Sequence, residues 1–177
     1  MTHDLFSYST LPKISSNPAV LLVRDTAGQY RAAEASEVLL AAQQMLFARM
    51  RGSNMLDSPQ AVRDFLQVKL GALEHEVFAV VHLDSQNQLI EYVEMFRGTV
   101  SQTSVYPREV VKESLKHNSA AVILVHNHPS GSTQPSRADE YLTNTLKQAL
   151  ALVDVRVLDH LIVASNTTLS MVERGLM

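Results

Sequence analysis

Residues 119–139 read SAAVILVHNHPSGSTQPSRAD. Ala120–His126 is apolar throughout, without polar alternation, and reads as a central strand covered on both faces. A polar loop with two prolines and a glycine follows, NHPSGSTQP at 127–135. Ser136 then caps a helix whose apolar stripe is Leu142, Leu146, Ala149, Leu150 and Val153. In extended backbone, residues i and i+2 project to the same side. His126 and His128 therefore converge, while Asn127 points away. Pro129 biases His128 towards an extended conformation, and Asp139, in the first helical turn, brings a carboxylate back to the same point. Two imidazoles and a carboxylate suit one Zn²⁺ per chain and leave a fourth position for water, as in catalytic zinc sites. Zinc in such a site lowers the pKa of its water to about 7. Each half also has a structural explanation. Histidines one residue apart occur in many cores, and Ser136-x-x-Asp139 has the spacing of a helix capping pair.

Outward from this stretch, helices and strands interleave. Downstream, Val155–Ala164 is strand-like and Asn166-Thr167 turns the chain into Thr168–Met171. Upstream, Pro107–His117 is a helix opened by proline. Glu76–Asp84 is a compact β-branched strand, Ser85–Gln88 a turn, and Leu89–Phe96 its return, with Gly98 at a bulge or at the end. Ser58-Pro59 opens a helix with Ser as N-cap and Pro in the first position. Val62, Phe65, Leu66, Leu70 and Leu73 share one face of it. Further upstream, Val20–Arg24 and Gln29–Ala33 flank a turn at Thr26-Ala27-Gly28, and Glu34–Arg51 has helix-forming composition. Gly52-Ser53-Asn54 breaks the pattern and places a boundary near 52–57. Residues 1–18 read as irregular. The chain thus divides into an extension, 1–56, of hairpin plus helix, and an α/β or α+β sandwich, 57–177.

Composition narrows the chemistry. The 177 residues include no Cys, which excludes disulfides, thiolate metal sites and a Cys nucleophile, and is compatible with a reducing cytoplasm. The N-terminus does not read as a signal peptide, and no apolar run reaches the ~20 residues of a membrane span. A net charge of −3 gives no support to a broad phosphate-binding surface, so a nucleic-acid partner stays open but unsupported. Ser130 and Thr133 line the loop without a neighbouring base, which argues against a serine nucleophile. His82 reads as core or partner-facing, His75 as surface, and His117 as complementing a helix dipole.

His126-x-His128-Pro129, six residues, then Ser136-x-x-Asp139 resembles the motif of the JAMM (MPN-type) metalloproteases. HNHPSG…PSRAD, with VYPREVVKESL (105–115) before it and VRVLDHLIV (155–163) after it, is similar to the bacterial RadC family over roughly residues 57–177. The resemblance implies a mixed, curved sheet flanked by helices in three layers, with zinc held by His126, His128 and Asp139. It implies that Ser136 donates to the oxyanion of a tetrahedral intermediate, and that an upstream Glu takes the proton from the water. Glu76, at the start of an apolar strand, fits that place better than Glu74. It further implies a zinc-dependent metallopeptidase or isopeptidase acting on a protein or peptide. A DNA-repair role and a non-catalytic binding module are the alternatives. Longer RadC proteins carry a helix-hairpin-helix segment; residues 1–56 hold only Gly28 and Gly52, no paired-glycine hairpin, and so resemble the short single-domain form. His160 also matches the RadC pattern, as second-sphere support or as a core histidine. Arg108 and Glu109 are substrate contacts or first-turn capping residues.

Overall fold

A computed structural model describes residues 20–51, 54–57, 59–98 and 104–177. Its contacts divide the chain into two compact units, Met1–Leu40 and Ala41–Met177. In the first, β1 (Leu22–Arg24) and β2 (Tyr30–Ala32) form an antiparallel pair. Gly28 turns the chain between them at φ 83°, a conformation that favours glycine. Helix α1 (Ala35–Met50) begins in this unit and ends in the second.

The second unit continues with α2 (Pro59–Leu70), β3 (Val77–Leu83), β4 (Leu89–Arg97), α3 (Pro107–Lys116), β5 (Ala121–Asn127), α4 (Arg137–Ala151), β6 (Arg156–Val163) and β7 (Thr168–Ser170). The five strands form one mixed sheet in the order β4-β3-β5-β6-β7. β5 lies at its centre and is buried along its whole length. β5 and β6 run parallel, with α4 as the crossover; the other pairs are antiparallel. Parallel neighbours need such a long connection, and the loop and helix after His126 supply it.

Strand alternation sorts the core into two layers. Ala79, Val81, Ile123, Val125, Leu161 and Val163 face α2 and the end of α1, packing with Phe65, Leu66, Leu70, Met50 and Met55. Phe78, Val80, Val122 and Leu124 face the other way, against Val110 of α3 and Leu146 and Leu150 of α4. Each fully buried leucine contributes roughly 1.5–3 kcal/mol relative to exposure. His126 and His160 carry the second of these phases, so both point to the α4 side.

α2 ends at Leu70, so Leu73 packs on the core from beyond the helix. A Cβ at Gly71 would stand 2.6 Å from the Gln67 carbonyl, so only glycine fits that exit. The Ser58 cap lies outside the described residues. For α3, Tyr106 is the N-cap in extended conformation and makes no side-chain capping bond. Glu109 lies in the first turn of α3 and pairs with Lys112 at 2.7 Å.

Candidate metal centre

His126 Nε2 and His128 Nε2 stand 2.9 Å apart. Asp139 places Oδ1 3.4 Å from the first and Oδ2 3.7 Å from the second. One ligand atom from each of the three residues lies within 4.8 Å of the others, the only such cluster among the described residues. β5 delivers His126 from a buried sheet position. The chain leaves the strand at Asn127, and His128 is tied to the end of β6 by donating its backbone N–H to Val163 O at 2.8 Å. The α4 N-terminus brings Asp139. Ser136 Oγ accepts from Asp139 N at 3.1 Å, and Asp139 Oδ2 accepts from Ser136 N at 2.7 Å, a reciprocal capping box. Asp139 thus caps its helix and faces the cluster at once. The Ser136 hydroxyl also donates to Asp139 Oδ2 at 2.7 Å.

The donor set suits a divalent cation. His128 Nδ1 lies 2.7 Å from the Ser132 carbonyl, which only accepts. Nδ1 therefore carries a proton, and in the neutral ring Nε2 is a lone pair turned to the cluster. Burial pushes the His126 imidazole down to about 4; the Asp139 carboxylate opposes this and His128 reinforces it. Burial, with His126 and His128 beside it, also holds His160 well below its ordinary value. At neutral pH both rings are uncharged, the form that binds metal.

A cleft of about 660 Å³ opens over the cluster. Glu76 lines it together with Phe78, Val105, Ser136, Tyr141 and Leu142; Glu74 is exposed and is not among the lining residues. The antiparallel pairing of Phe78 with His126 brings Glu76, two residues earlier, to the His128 end of β5. Asn127 fixes the segment. Its Oδ1 accepts from Val77 N at 2.8 Å and its Nδ2 donates to His75 O at 3.0 Å, one bond on each side of Glu76. Gly98 N donates to Glu76 O at 2.8 Å.

Two residues behind the cluster carry no site role in the sequence pattern, Asn127 and Thr143. Asn127 was assigned only a direction, away from the metal. Thr143 was given no role, although it stands four residues after Asp139 on one helical face. His160, read as core or support, is buried and hydrogen-bonded to His126. It is fully buried, with Nε2 2.8 Å from His126 Nδ1 and Nδ1 2.6 Å from Thr143 Oγ1. Its pairing with Leu124, two residues before His126, sets that contact.

Residues 56–176 match the family model described as the RadC-like JAB domain. The chain belongs to this family. Among RadC-like relatives, a UPF0758 protein of Leptothrix cholodnii is 52% identical over 164 residues, covering 93% of this chain and 74% of that protein. A UPF0758 protein of an Acidovorax species is 60% identical over 149 residues, covering 84% and 63%. One of Paracidovorax citrulli is 62% identical over 139 residues, covering 78% and 59%. The chain therefore spans about three fifths to three quarters of the length of these RadC-like proteins.

Proposed function

We propose that this RadC-like domain is a zinc-dependent hydrolase that cleaves an amide, a peptide or isopeptide bond, in a protein or peptide substrate. The observation that carries the reading is a His-His-Asp cluster and the carboxylate of Glu76 opening on one cleft. His126, His128 and Asp139 would hold the ion. When bound, zinc supplies a Lewis acid for the carbonyl and a water with pKa near 7. Glu76 takes a proton from the attacking water and delivers it to the leaving amine. Ser136 turns its hydroxyl proton from Asp139 to the developing oxyanion. Phe78, Val105 and Leu142 give the cleft an apolar wall that excludes water from the reacting carbonyl. Among the described residues the lining includes no Lys or Arg, and its two carboxylates disfavour a phosphodiester. That observation favours an amide over DNA.

Metal analysis combined with peptidase assays tests the reading. Wild type is expected to hold about one zinc per chain and His126→Ala to lose it. Glu76→Gln is expected to keep the zinc and lose about 10²–10⁴-fold in rate. Wild-type protein without stoichiometric zinc, or Glu76→Gln at full rate, would sink the proposal. Salt-dependent DNA binding would favour the nucleic-acid alternative.

A further inference from the structure

We propose that Thr143 and His160 are positioning residues that set which nitrogen of His126 carries its proton, leaving Nε2 bare towards the candidate metal point. The Asp139 backbone carbonyl only accepts. Thr143 Oγ1 lies 2.6 Å from it, so the single hydroxyl proton lies between them. The Met171 sulfur, at 3.7 Å from Thr143 Oγ1, is the weaker acceptor. With its proton committed, Thr143 Oγ1 must accept from His160 Nδ1 at 2.6 Å. His160 is therefore protonated on Nδ1, and in the neutral ring its Nε2 is a lone pair. That lone pair lies 2.8 Å from His126 Nδ1, which must then donate. Nε2 of His126 is left without a proton.

The reverse polarity fails at its last link. A proton on His126 Nε2, shared with His128, requires His126 Nδ1 to accept from His160 Nε2–H. His160 Nδ1 would then need a proton from Thr143, whose only proton already lies on the Asp139 carbonyl. The relay runs from the backbone of one candidate ligand to the ring of another, so α4 sets both the place of Asp139 and the tautomer of His126. Partners of this kind orient ligand rings and alter metal affinity.

The significance of the relay for metal binding rests on the zinc reading, but its test does not. Long-range ¹H–¹⁵N spectra of metal-free protein report the protonated nitrogen of each histidine. Both His126 and His160 are expected to be protonated on Nδ1; His126 protonated on Nε2 overturns the inference. Thr143→Val removes the terminal hydroxyl and is expected to move the His126 proton to Nε2 and to weaken zinc binding about 10–100-fold. Thr143→Ser is expected to restore both. A folded Thr143→Val protein with the wild-type tautomer and zinc affinity overturns the inference. Should Thr143→Val not fold, the wild-type and Thr143→Ser tautomers decide. Protein with both protons on Nδ1 that takes up no zinc upholds the relay and removes the hydrolase reading. Zinc uptake with His126 protonated on Nε2 does the opposite.

Discussion

Burial turns ordinary histidines of this chain into pH-sensitive elements. His82 is fully buried, with Nδ1 2.9 Å from Ser119 Oγ and its ring stacked 4.7 Å from His117. Its Nε2 has no hydrogen-bond partner among the described residues, and burial pushes its pKa down from 6.5 to about 4, with His117 contributing. The unfolded chain therefore takes up a proton on His82 at higher pH than the folded chain does. Stability is fully present above about pH 6.5 and falls as pH drops towards 4, by up to roughly 1.4 kcal/mol per pH unit for this one group. His82→Phe keeps a ring to stack on His117 and is expected to flatten the pH dependence of Tm in that window. An unchanged slope would assign the acid sensitivity elsewhere. At this scale the sequence was most informative where partners are close in the chain. His126, His128 and Asp139 lie within one strand–loop–helix passage, and their convergence follows from strand alternation and a helix start. Asn127 was not legible, because both of its partners lie about fifty residues upstream.

The elements also carry departures that a one-dimensional reading does not reveal. Val122 pairs with Val157, but Ile123 pairs with Asp159, so Leu158 is an extra residue bulged out of β6. The bulge absorbs one residue, and His160 beyond it stays in phase with Leu124 and hence with His126. The strand-like run 155–164 gives no sign of this shift, because Val157, Leu158 and Leu161 are interchangeable in such a pattern. Deletion and insertion at 158 are therefore unequal. Deletion of Leu158 gives a flush strand with His160 on its present side. A glycine inserted after Leu158 leaves the bulge to absorb two residues or turns His160 to the opposite face. Zinc affinity of the deletion variant is expected to exceed that of the insertion variant, measured by competition with a chelator; the reverse order would show that the bulge does not set His160. The β3–β5 pair makes a second prediction. Asn127→Ala removes both bonds beside Glu76 and is expected to destabilise the fold by about 1–3 kcal/mol. The rate is expected to drop more than zinc affinity does, since the three candidate ligands are untouched. Equal losses in both would contradict that separation.

For the molecule as a whole, the interleaving of elements pointed to an α/β or α+β sandwich and the family resemblance to a mixed sheet flanked by helices; β5 lies at the sheet's centre because its run is apolar on both faces. The β3–β4 and β6–β7 neighbours follow from their turns, but the placing of β5 between β3 and β6 was not legible, since all three are apolar runs of similar length. The two core layers predict different consequences for the site. Leu66 and Leu146 are both fully buried, the first under α2 and the second under α4. Each change to Ala is expected to cost about 2–5 kcal/mol. Only Leu146→Ala is expected also to weaken zinc binding, because it loosens the helix that carries Asp139 and Thr143. Denaturant unfolding read beside zinc titration checks the contrast, and equal effects on metal would refute it.

The clamp formed by Asn127 bears on how the protein comes into being. The strand–loop–helix passage from Ala121 to Ala151 holds all three candidate ligands, so their approach requires closure of a loop of only about a dozen residues. Glu76 joins them only when β3 docks on β5 across a separation of some fifty residues. Contacts of short separation form earlier in folding than long ones. A nascent chain would thus bring the three candidate ligands together before Glu76, the proposed general base, has arrived.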